Sequence, residues 1–349
     1  MPSLEELVSR PEYYLNELDL DTGECGFLKL DKEAYRRSAF MDHRIRSGTQ
    51  ELVRVPLGEM EQMVRELQSA VQPEPVNYIF HTAFCCSTLI ARCLDIEDAS
   101  HALREPSVLM QMANYKRAGN PHYSDRARWR GLLNTVLFLL AKSRSPGEAV
   151  LIKPTNAANN LAEELFVHSQ VGGVLLLYSN LEQFLVSIIK KGEEGRGFVR
   201  KLFNVIRTDS ERTRALPLQS LSQLTDLQIA AFVWYSQMDT YLKLLASFPG
   251  GRIRTLDCDV FLTDPVGILV KLCDLFGMRV ETAVLQGIIA GPIFSKYSKN
   301  DIQDYDSAVR KAEYLQVSRE HRETLNGILA WSDHIRPEGP VQLPLPRAL

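Results

Sequence analysis

The sequence predicts an α/β protein of three layers (α/β/α), in which helices cover both faces of a central, mostly parallel β-sheet. Short apolar segments alternate with longer helix-like ones, as in VNYIF from Val76 followed by STLIARCLD from Ser87. The strand-like segments are apolar almost throughout, which is typical of strands buried on both faces of a parallel sheet. Alternation and continuous apolarity together indicate βαβ units.

The same order of elements recurs further along the chain. AVLIKP from Ala149 and GGVLLLYS from Gly172 are predicted as strands, and LAEELFVHSQ from Leu161 and LEQFLVSIIKKG from Leu181 are predicted as helices. A long helical apolar stripe follows in LQIAAFVWYSQMDTYLKLLASF, and RIRTLDCDVF returns to strand character. The pattern therefore continues beyond the first βαβ unit.

One later helix has clear boundaries in the segment DPVGILVKLCDLFG. Asp264 is a good N-cap residue and Pro265 suits the first helical position. Gly277 provides the left-handed residue that commonly ends a helix. We expect the helix to span the residues between them.

The length of 349 residues favours one main domain. We expect this α/β domain at residues 71–335, since QPEP at residues 72–75 interrupts any helix before the first strand. Residues 1–70 are predicted as an N-terminal extension that packs on the core. Residues 336–349 form a proline-rich tail, expected to be extended or disordered.

Composition limits the partners that the chain can bind. A formal net charge of -3 gives no general attraction to nucleic acid or to an anionic membrane, so neither is expected as a partner. The N-terminal residues show no targeting pattern, and six irregularly spaced cysteines suggest reduced thiols. We therefore expect a cytoplasmic protein. No histidine or cysteine motif indicates a metal, and nothing in the sequence indicates the oligomeric state.

A candidate phosphate-binding loop lies between the first predicted strand and its helix, at HTAFCCST from His81 to Thr88. Unpaired amide groups and the helix dipole at such a position favour an anion, and Ser87 and Thr88 add hydroxyl donors. The alternative is a small-residue turn that only connects two packed elements. The pattern GxxxxGK[ST] is absent, which argues against an ordinary ATP or GTP hydrolase.

From about Asn77 to Arg310 the sequence resembles the sulfotransferases that use 3′-phosphoadenosine 5′-phosphosulfate, especially the bacterial sulfotransferase-like proteins. The resemblance implies a P-loop NTPase-like sulfotransferase fold. In that family a loop of the type [KR]-S-G-[ST]-T binds the 5′-phosphosulfate. Its five places are occupied here by Phe84, Cys85, Cys86, Ser87 and Thr88. The two hydroxyls match, whereas Phe84 replaces the cation and Cys86 the glycine.

A second family motif, R-[DN]-P with a serine eight residues after the arginine, binds the 3′-phosphate. Ser179 occupies the arginine place in LLLYSNLEQFLVS, and Ser187 falls on the matching serine. Lys190 and Lys191 either supply the missing charge or are a solvated helix end. The segment LDCDVFLTDPVGILVKLCDLFGM resembles a third stretch of the family, Y-E-D-L-x-x-D-P with its helix, which concerns packing.

Three residues are candidates for the catalytic chemistry. The resemblance implies Glu105 as the base that takes the acceptor's proton, with a turn or a salt bridge as the alternative. Lys153 ends a strand, where it either replaces the missing loop lysine or is a solvated cap. His101 is an alternative base or a histidine satisfied by the backbone. Arg104 beside Glu105 is either a surface charge or an anion contact.

Cys85 and Cys86 allow two interpretations. A thiol at a helix N-terminus is reactive and would permit thiol chemistry or redox gating of the loop. The alternative is that small, soft side chains fill a tight turn below a sheet.

Three functions remain open from the sequence. The leading hypothesis is transfer of a sulfuryl group from 3′-phosphoadenosine 5′-phosphosulfate to a hydroxyl or amine of a small molecule or carbohydrate. The second is a catalytically silent nucleotide-binding or protein-interaction module on the same fold. The third is a divergent kinase, which magnesium-dependent ATP turnover would reveal.

Overall fold

The computed structural model describes residues 1–46, 52–69, 75–167, 171–295, 307–336 and 339–349. In these ranges no helix has both the length and the apolar character that a membrane crossing requires. The strands are β1 Tyr13–Asp19, β2 Glu24–Lys29, β3 Val53–Pro56, β4 Val76–His81, β5 Ser100–Arg104, β6 Ala149–Lys153, β7 Val171–Tyr178 and β8 Ile253–Asp257.

Helices connect and flank these strands. The first part of the chain contains α1 Leu4–Ser9, α2 Lys32–Arg37, α3 Leu57–Gln68, α4 Ser87–Cys93, α5 Ser107–Arg117, α6 Pro121–Ser124, α7 Arg126–Leu140 and α8 Ala162–Val167. The middle part contains α9 Leu181–Lys190, α10 Gly192–Ile206, α11 Glu211–Arg214, α12 Leu218–Leu221 and α13 Asp226–Ser247. The last part contains α14 Cys258–Thr263, α15 Pro265–Phe276, α16 Thr282–Ala290, α17 Pro292–Ser295, α18 Ser307–Glu320 and α19 Arg322–His334. Short 3₁₀ helices occupy His43–Ile45 and Asn156–Leu161.

The central sheet has five strands in the order β5-β6-β4-β7-β8 and is mostly parallel. Val76 of β4 pairs with Val150 of β6, and Ser100 of β5 pairs with Ala149, both in parallel register. Every residue of β4 and β5 is buried, as in a sheet covered on both faces. Burial on both faces explains the continuous apolar sequence of these strands.

A buried asparagine joins three neighbouring strands of the sheet. Asn77 of β4 is 3% exposed. Its amide nitrogen donates to the carbonyl oxygen of Val150 in β6, and its amide oxygen accepts a hydrogen bond from the backbone N–H of Gly173 in β7 at 2.7 Å. The side chain thus satisfies backbone groups on both sides of β4.

The N-terminal residues form a second, antiparallel sheet in the order β1-β2-β3. Tyr13 pairs with Lys29 across β1 and β2, and Phe27 pairs with Val53 across β2 and β3. Strands β1 and β2 carry no clear alternation in the sequence and were not predicted.

The chain divides into two compact units. Unit 1 comprises residues 1–80, 88–174 and 269–285, and unit 2 comprises residues 81–87, 175–268 and 286–349. Strand β7 contributes its first residues to unit 1 and its last residues to unit 2. The loop after β4 and the helices α9 and α13 belong to unit 2, whereas β5 and β6 belong to unit 1.

The predicted strands and most predicted helices are confirmed. Helix α15 begins at Pro265, and Gly277 after it has a φ of 69°, as its sequence indicated. The predicted strand from Arg252 is shorter than expected, because the chain turns at Asp257, whose side chain caps α14 by accepting the backbone N–H of Asp259. Three residues of the predicted helix from Leu161, namely His168, Ser169 and Gln170, lie outside the described residues.

The last residues of the proline-rich tail lie beside β8, where Ala348 forms an isolated parallel bridge with Thr255. Thr255 of β8 donates its backbone N–H to the carbonyl oxygen of Arg347 at 3.1 Å and accepts from the N–H of Leu349 at 3.0 Å. The guanidinium of Arg347 donates to the carbonyl oxygens of Leu245 and Phe248. These bonds attach the tail to the edge of β8, where the strand would otherwise expose unpaired backbone groups.

We expect opposite effects when two glycines of unit 1 are replaced by alanine. A Cβ at Gly173 would lie 2.3 Å from the carbonyl oxygen of Leu275, whereas a Cβ at Gly131, in the exposed face of α7, meets no atom within 4 Å. Gly173→Ala should lower the free energy of unfolding by about 2 kcal/mol through overpacking. Gly131→Ala should raise it by roughly 0.5–1 kcal/mol, because alanine favours the helix.

Urea unfolding of the two variants beside the wild type measures both changes. The Gly131→Ala variant serves as the matched control for adding one methyl group. Equal stability of the Gly173→Ala variant and the wild type would contradict the close approach of β7 to the end of α15.

Candidate functional site

The loop after β4 contains three left-handed residues that carry side chains. Ala83, Phe84 and Cys86 have φ angles of 73°, 50° and 60°. A left-handed residue other than glycine costs roughly 1–2 kcal/mol. Ala83 and Phe84 are consecutive, and Cys86 follows after one further residue. The loop therefore holds left-handed backbone at three places where a side chain disfavours it.

Hydrogen bonds within unit 2 hold this loop against the end of β7. The backbone N–H of Thr82 donates to the carbonyl oxygen of Leu177 at 3.2 Å, and the Cys85 thiol lies 3.7 Å from the same oxygen. The N–H of Ala83 donates to Nδ1 of His81 at 3.3 Å. Cys85 is buried, while Cys86 is half-buried.

The ring of Phe84 packs against two other phenylalanine rings of unit 2. Its centroid lies 5.8 Å from that of Phe184 in α9 and 5.2 Å from that of Phe198 in α10. The position at which the family motif has a cation therefore holds an aromatic side chain within an aromatic cluster. Ser87 and Thr88 follow at the start of α4 and are 7% and 4% exposed.

Two buried hydroxyls lie near the end of β7. Ser179 and Thr82 are both fully buried, and their side-chain oxygens have no hydrogen-bond partner among the described residues. The carbonyl oxygen of Ser179 accepts a hydrogen bond from the indole N–H of Trp234 at 2.8 Å. Buried hydroxyls are normally paired, so these two are places where water or a ligand group would complete the bonding.

Ser187 lies on α9 in the same unit, one helical turn after Phe184. Its hydroxyl donates to the carbonyl oxygen of Gln183 at 2.8 Å. Lys190 pairs with Glu313, and Lys191 pairs with Glu194 at 3.0 Å. The sequence suggested these two lysines as replacements for the missing arginine charge of the second motif. In the structure both have acidic partners.

Unit 1 brings Glu105 and Lys153 together. Nζ of Lys153 donates to Oε1 of Glu105 at 2.6 Å, and the two side chains are 1% and 15% exposed, respectively. The backbone N–H of Glu105 donates to the carbonyl oxygen of Lys153 at 2.7 Å. Glu105 also has a left-handed backbone, with a φ of 58°. The interpretation of Lys153 as a solvated cap is wrong, because its ammonium is enclosed.

Arg104 and His101 lie in β5, the strand that ends directly before Glu105. Arg104 is fully buried and donates to Asp95 at 2.8 Å, which corrects its interpretation as a surface charge. His101 lies with its ring 4.9 Å from that of Tyr35, and its Nε2 is 3.5 Å from the guanidinium of Arg144. Burial, and then the positive charge of Arg144, lower the pKa of His101 to about 3.

One group of potential metal ligands occurs among the described residues. Side-chain atoms of Asp257, Cys258 and Asp259 lie within 4.8 Å of one another at the start of α14. Asp257 accepts the backbone N–H of Asp259 as a helix cap, and Asp259 accepts from the amide of Gln183. Both carboxylates thus serve local hydrogen bonds.

The site residues therefore fall into two sets. Unit 2 holds Phe84, Cys85, Cys86, Ser87, Ser179 and Ser187, and unit 1 holds Thr88, Glu105, Lys153 and His101. Sequence reasoning missed the left-handed backbone at Glu105 and the phenylalanines around Phe84. The dipeptide Glu105-Pro106 favoured an extended backbone instead, because proline pushes the residue before it to that conformation, and the φ of 58° at Glu105 shows that this expectation is wrong.

The strand order and flanking helices define an α/β protein with a mostly parallel five-stranded sheet. Its fold is similar to that of solved sulfotransferases. A sulfotransferase domain from the curacin biosynthetic pathway is 12% identical, with a TM-score of 0.41, over 71% of this chain and 97% of that chain. The sulfotransferase domain of the Synechococcus PCC 7002 olefin synthase is 12% identical, with a TM-score of 0.40, over 72% and 95%.

The sulfotransferase STF9 from Mycobacterium avium is 11% identical, with a TM-score of 0.41, over 76% of this chain and 81% of that chain. No protein-family model matches the chain, and no curated protein matches it. These similarities concern the fold and carry no information about the roles of individual residues.

The buried neutral His101 predicts a pH dependence of stability. The folded protein keeps His101 neutral down to a pH of about 3, its lowered pKa, whereas the unfolded chain takes up the proton near pH 6.5. Between these values the unfolded state binds more protons, so stability falls as the pH falls. The loss attributable to His101 between pH 7.5 and pH 5 is about 2 kcal/mol.

Urea unfolding at several pH values measures this loss. A His101→Gln variant should have a shallower dependence on pH than the wild type, and replacement of the exposed His43 by glutamine serves as the control. If the His101→Gln variant keeps the full wild-type dependence, the histidine is not held neutral by burial.

Proposed function

We propose that the chain binds 3′-phosphoadenosine 5′-phosphosulfate and transfers its sulfuryl group to a hydroxyl or amine of a small molecule or carbohydrate. The observation that carries this proposal is the left-handed backbone at Ala83, Phe84 and Cys86, between a fully buried strand and a helix. Backbone strain of this kind persists where surrounding structure enforces it, and it clusters at ligand-binding sites. A simple connecting turn has no need of three such residues.

The loop and its neighbours in unit 2 include neutral hydrogen-bonding groups. In the proposed function, backbone N–H groups of the loop contact the phosphates, and Ser87 adds a hydroxyl at the start of α4. The buried hydroxyls of Thr82 and Ser179 belong to the same unit and lack partners among the described residues. In the proposed function, these neutral donors replace the positive charges of the family motifs in binding the nucleotide's phosphates.

Sulfuryl transfer also needs a base. The acceptor oxygen or nitrogen attacks the sulfur, and the bond from sulfur to the bridging phosphate oxygen breaks. The nucleotide leaves with that electron pair, and the acceptor's proton passes to the base. We assign this role to Glu105, whose carboxylate is partly accessible and is held by Lys153. His101 suits the role less, because its ring is enclosed by Tyr35 and Arg144.

One observation favours the second candidate function, a catalytically silent nucleotide-binding module. The ring of Phe84 packs against Phe184 and Phe198, in the place where a cation would contact the bridging oxygen. A site without that cation stabilises the leaving phosphate less. Binding and transfer must therefore be measured separately.

Titration calorimetry with 3′-phosphoadenosine 5′-phosphate tests the binding. We expect a dissociation constant below about 1 mM, since several N–H and hydroxyl donors converge on the phosphate. Transfer is then measured with 3′-phosphoadenosine 5′-phosphosulfate as donor and p-nitrophenol as an acceptor probe. Absence of binding at millimolar nucleotide would refute both candidate functions, whereas binding without transfer to any acceptor tested would favour the silent module.

A charge introduced into the loop should raise affinity for the nucleotide. Phe84→Lys supplies a charge-assisted hydrogen bond, worth about 1.5–3 kcal/mol, or roughly 10- to 100-fold in the dissociation constant. Phe84→Leu is the matched control, because it removes the same ring contacts without adding charge. The same calorimetric titration measures both variants. Equal affinities of the two variants would show that position 84 does not face the phosphate.

A further inference from the structure

The four residues from Arg104 to Ser107 are held by backbone hydrogen bonds from two sides. On one side, the N–H of Met41 donates to the carbonyl oxygen of Arg104 at 2.7 Å, and the N–H of Ser107 donates to the carbonyl oxygen of Met41 at 3.4 Å. On the other side, the N–H of Glu105 donates to the carbonyl oxygen of Lys153 at 2.7 Å. Residues far apart in the sequence thus enclose Glu105.

The side chain of Arg104 ties the same segment to the N-terminal residues. Its guanidinium donates to the carbonyl oxygen of Ser38 at 2.8 Å, to that of Arg36 at 3.2 Å and to that of Tyr35. Its remaining amino group pairs with Asp95 at 2.8 Å. The planar guanidinium therefore satisfies three backbone carbonyls and one carboxylate, which lysine cannot do at one position.

We define the clamp as Arg104 with residues 35–41. The residue next to it in sequence, Glu105, has a strained backbone. Glu105 has a φ of 58°, a conformation that a residue with a side chain adopts at a cost of roughly 1–2 kcal/mol. Such a residue keeps this conformation only where the surrounding structure enforces it against the residue's own backbone preference. The hydrogen bonds to Met41 and Lys153, together with the bonds that anchor Arg104, hold the backbone in this conformation.

The clamp is itself supported from the N-terminal sheet. The hydroxyl of Tyr14 in β1 donates to the carbonyl oxygen of Met41 at 2.8 Å, and Met41 is fully buried. The Ser107 hydroxyl donates to the carbonyl oxygen of Asn16 in the same strand. The ring of Tyr35 packs against the ring of His101 in β5. Residues predicted as an extension thus contact Arg104 and Ser107, on either side of the proposed base.

We propose that Arg104 is a positioning residue that, together with residues 35–41, fixes the left-handed backbone of Glu105 and so orients its carboxylate. This inference rests on the proposed function, in which Glu105 is the base. Lys153 holds the end of the carboxylate, while the clamp sets the direction in which the side chain leaves the backbone. A base displaced by about 1 Å loses roughly 100-fold in rate, so such a clamp has a catalytic consequence.

Two variants of the full-length chain weaken the clamp to different degrees. Arg104→Lys keeps a cation for Asp95 but loses bonds to the carbonyls of residues 35–38. Tyr14→Phe removes the hydroxyl that bonds to Met41 and to Ser107 and leaves Arg104 intact, so it tests the same clamp if Arg104→Lys fails to fold. Lys142→Met is the matched control, because Lys142 also donates to N-terminal carbonyls, those of Leu7 and Tyr13, outside the clamp.

The first measurement needs no sulfuryl transfer. Coupling of glycine amide to Glu105 by a water-soluble carbodiimide, quantified by mass spectrometry, reports how the carboxylate is held. We expect coupling about tenfold faster in Arg104→Lys and about threefold faster in Tyr14→Phe than in the wild type, with Lys142→Met unchanged, because a released carboxylate becomes accessible. Wild-type rates in whichever clamp variants fold, or an equal acceleration in Lys142→Met, would overturn the proposal.

The second measurement separates positioning from stability. With 3′-phosphoadenosine 5′-phosphosulfate and p-nitrophenol, Arg104→Lys should lower kcat by about tenfold or more at an unchanged KM for the donor, whereas Lys142→Met should keep the wild-type kcat. A kcat retained in Arg104→Lys would count against the clamp. If the wild type transfers no sulfuryl group, the proposed function fails, while the coupling rates of Glu105 still decide whether the clamp exists.

Discussion

The candidate site depends on left-handed backbone adopted by residues that carry side chains. The residues concerned follow β4, at Ala83, Phe84 and Cys86, and β5, at Glu105. In both places a hydrogen bond to a strand carbonyl holds the turn: Thr82 donates to Leu177 within unit 2, and Glu105 donates to Lys153 within unit 1. Because glycine would adopt these conformations freely, the use of larger residues requires a rigid surrounding sheet. The buried strands and the amide of Asn77 provide that rigidity.

Charge is distributed unusually for a protein proposed to bind phosphate groups. The positions that resemble the family's cationic places hold Phe84 and Ser179, and the lysines at the end of α9 are paired with glutamates. Two enclosed cations lie in unit 1, where Lys153 pairs with Glu105 and Arg104 with Asp95. Removing one partner of such a pair leaves a buried charge, so these pairs resist substitution. In the proposed function, phosphate recognition then rests on backbone amides and hydroxyls, and the enclosed cations organise the base.

The N-terminal residues have a larger part in this arrangement than a peripheral extension would have. They form a separate antiparallel sheet, yet Met41 and the carbonyls of residues 35–38 bond directly to the segment that carries Glu105. His101, a candidate base from the sequence, instead packs between Tyr35 and Arg144 as a neutral ring. The chemistry proposed for Glu105 is thus coupled to the packing of residues more than 60 positions earlier in the chain.

The sequence by itself determined the α/β class, the positions of the buried strands and the ends of helix α15, since these follow from local periodicity, capping and proline. The order of strand, loop and helix also located the loop after β4, and the resemblance located Glu105. Only the tertiary structure decided that Lys153 bonds to Glu105, that Arg104 is buried and that Phe84 joins Phe184 and Phe198. These contacts join segments distant in sequence, and no local pattern encodes which distant partner a side chain meets. The left-handed angles were equally hidden, because local preference opposes them and only the folded surroundings enforce them.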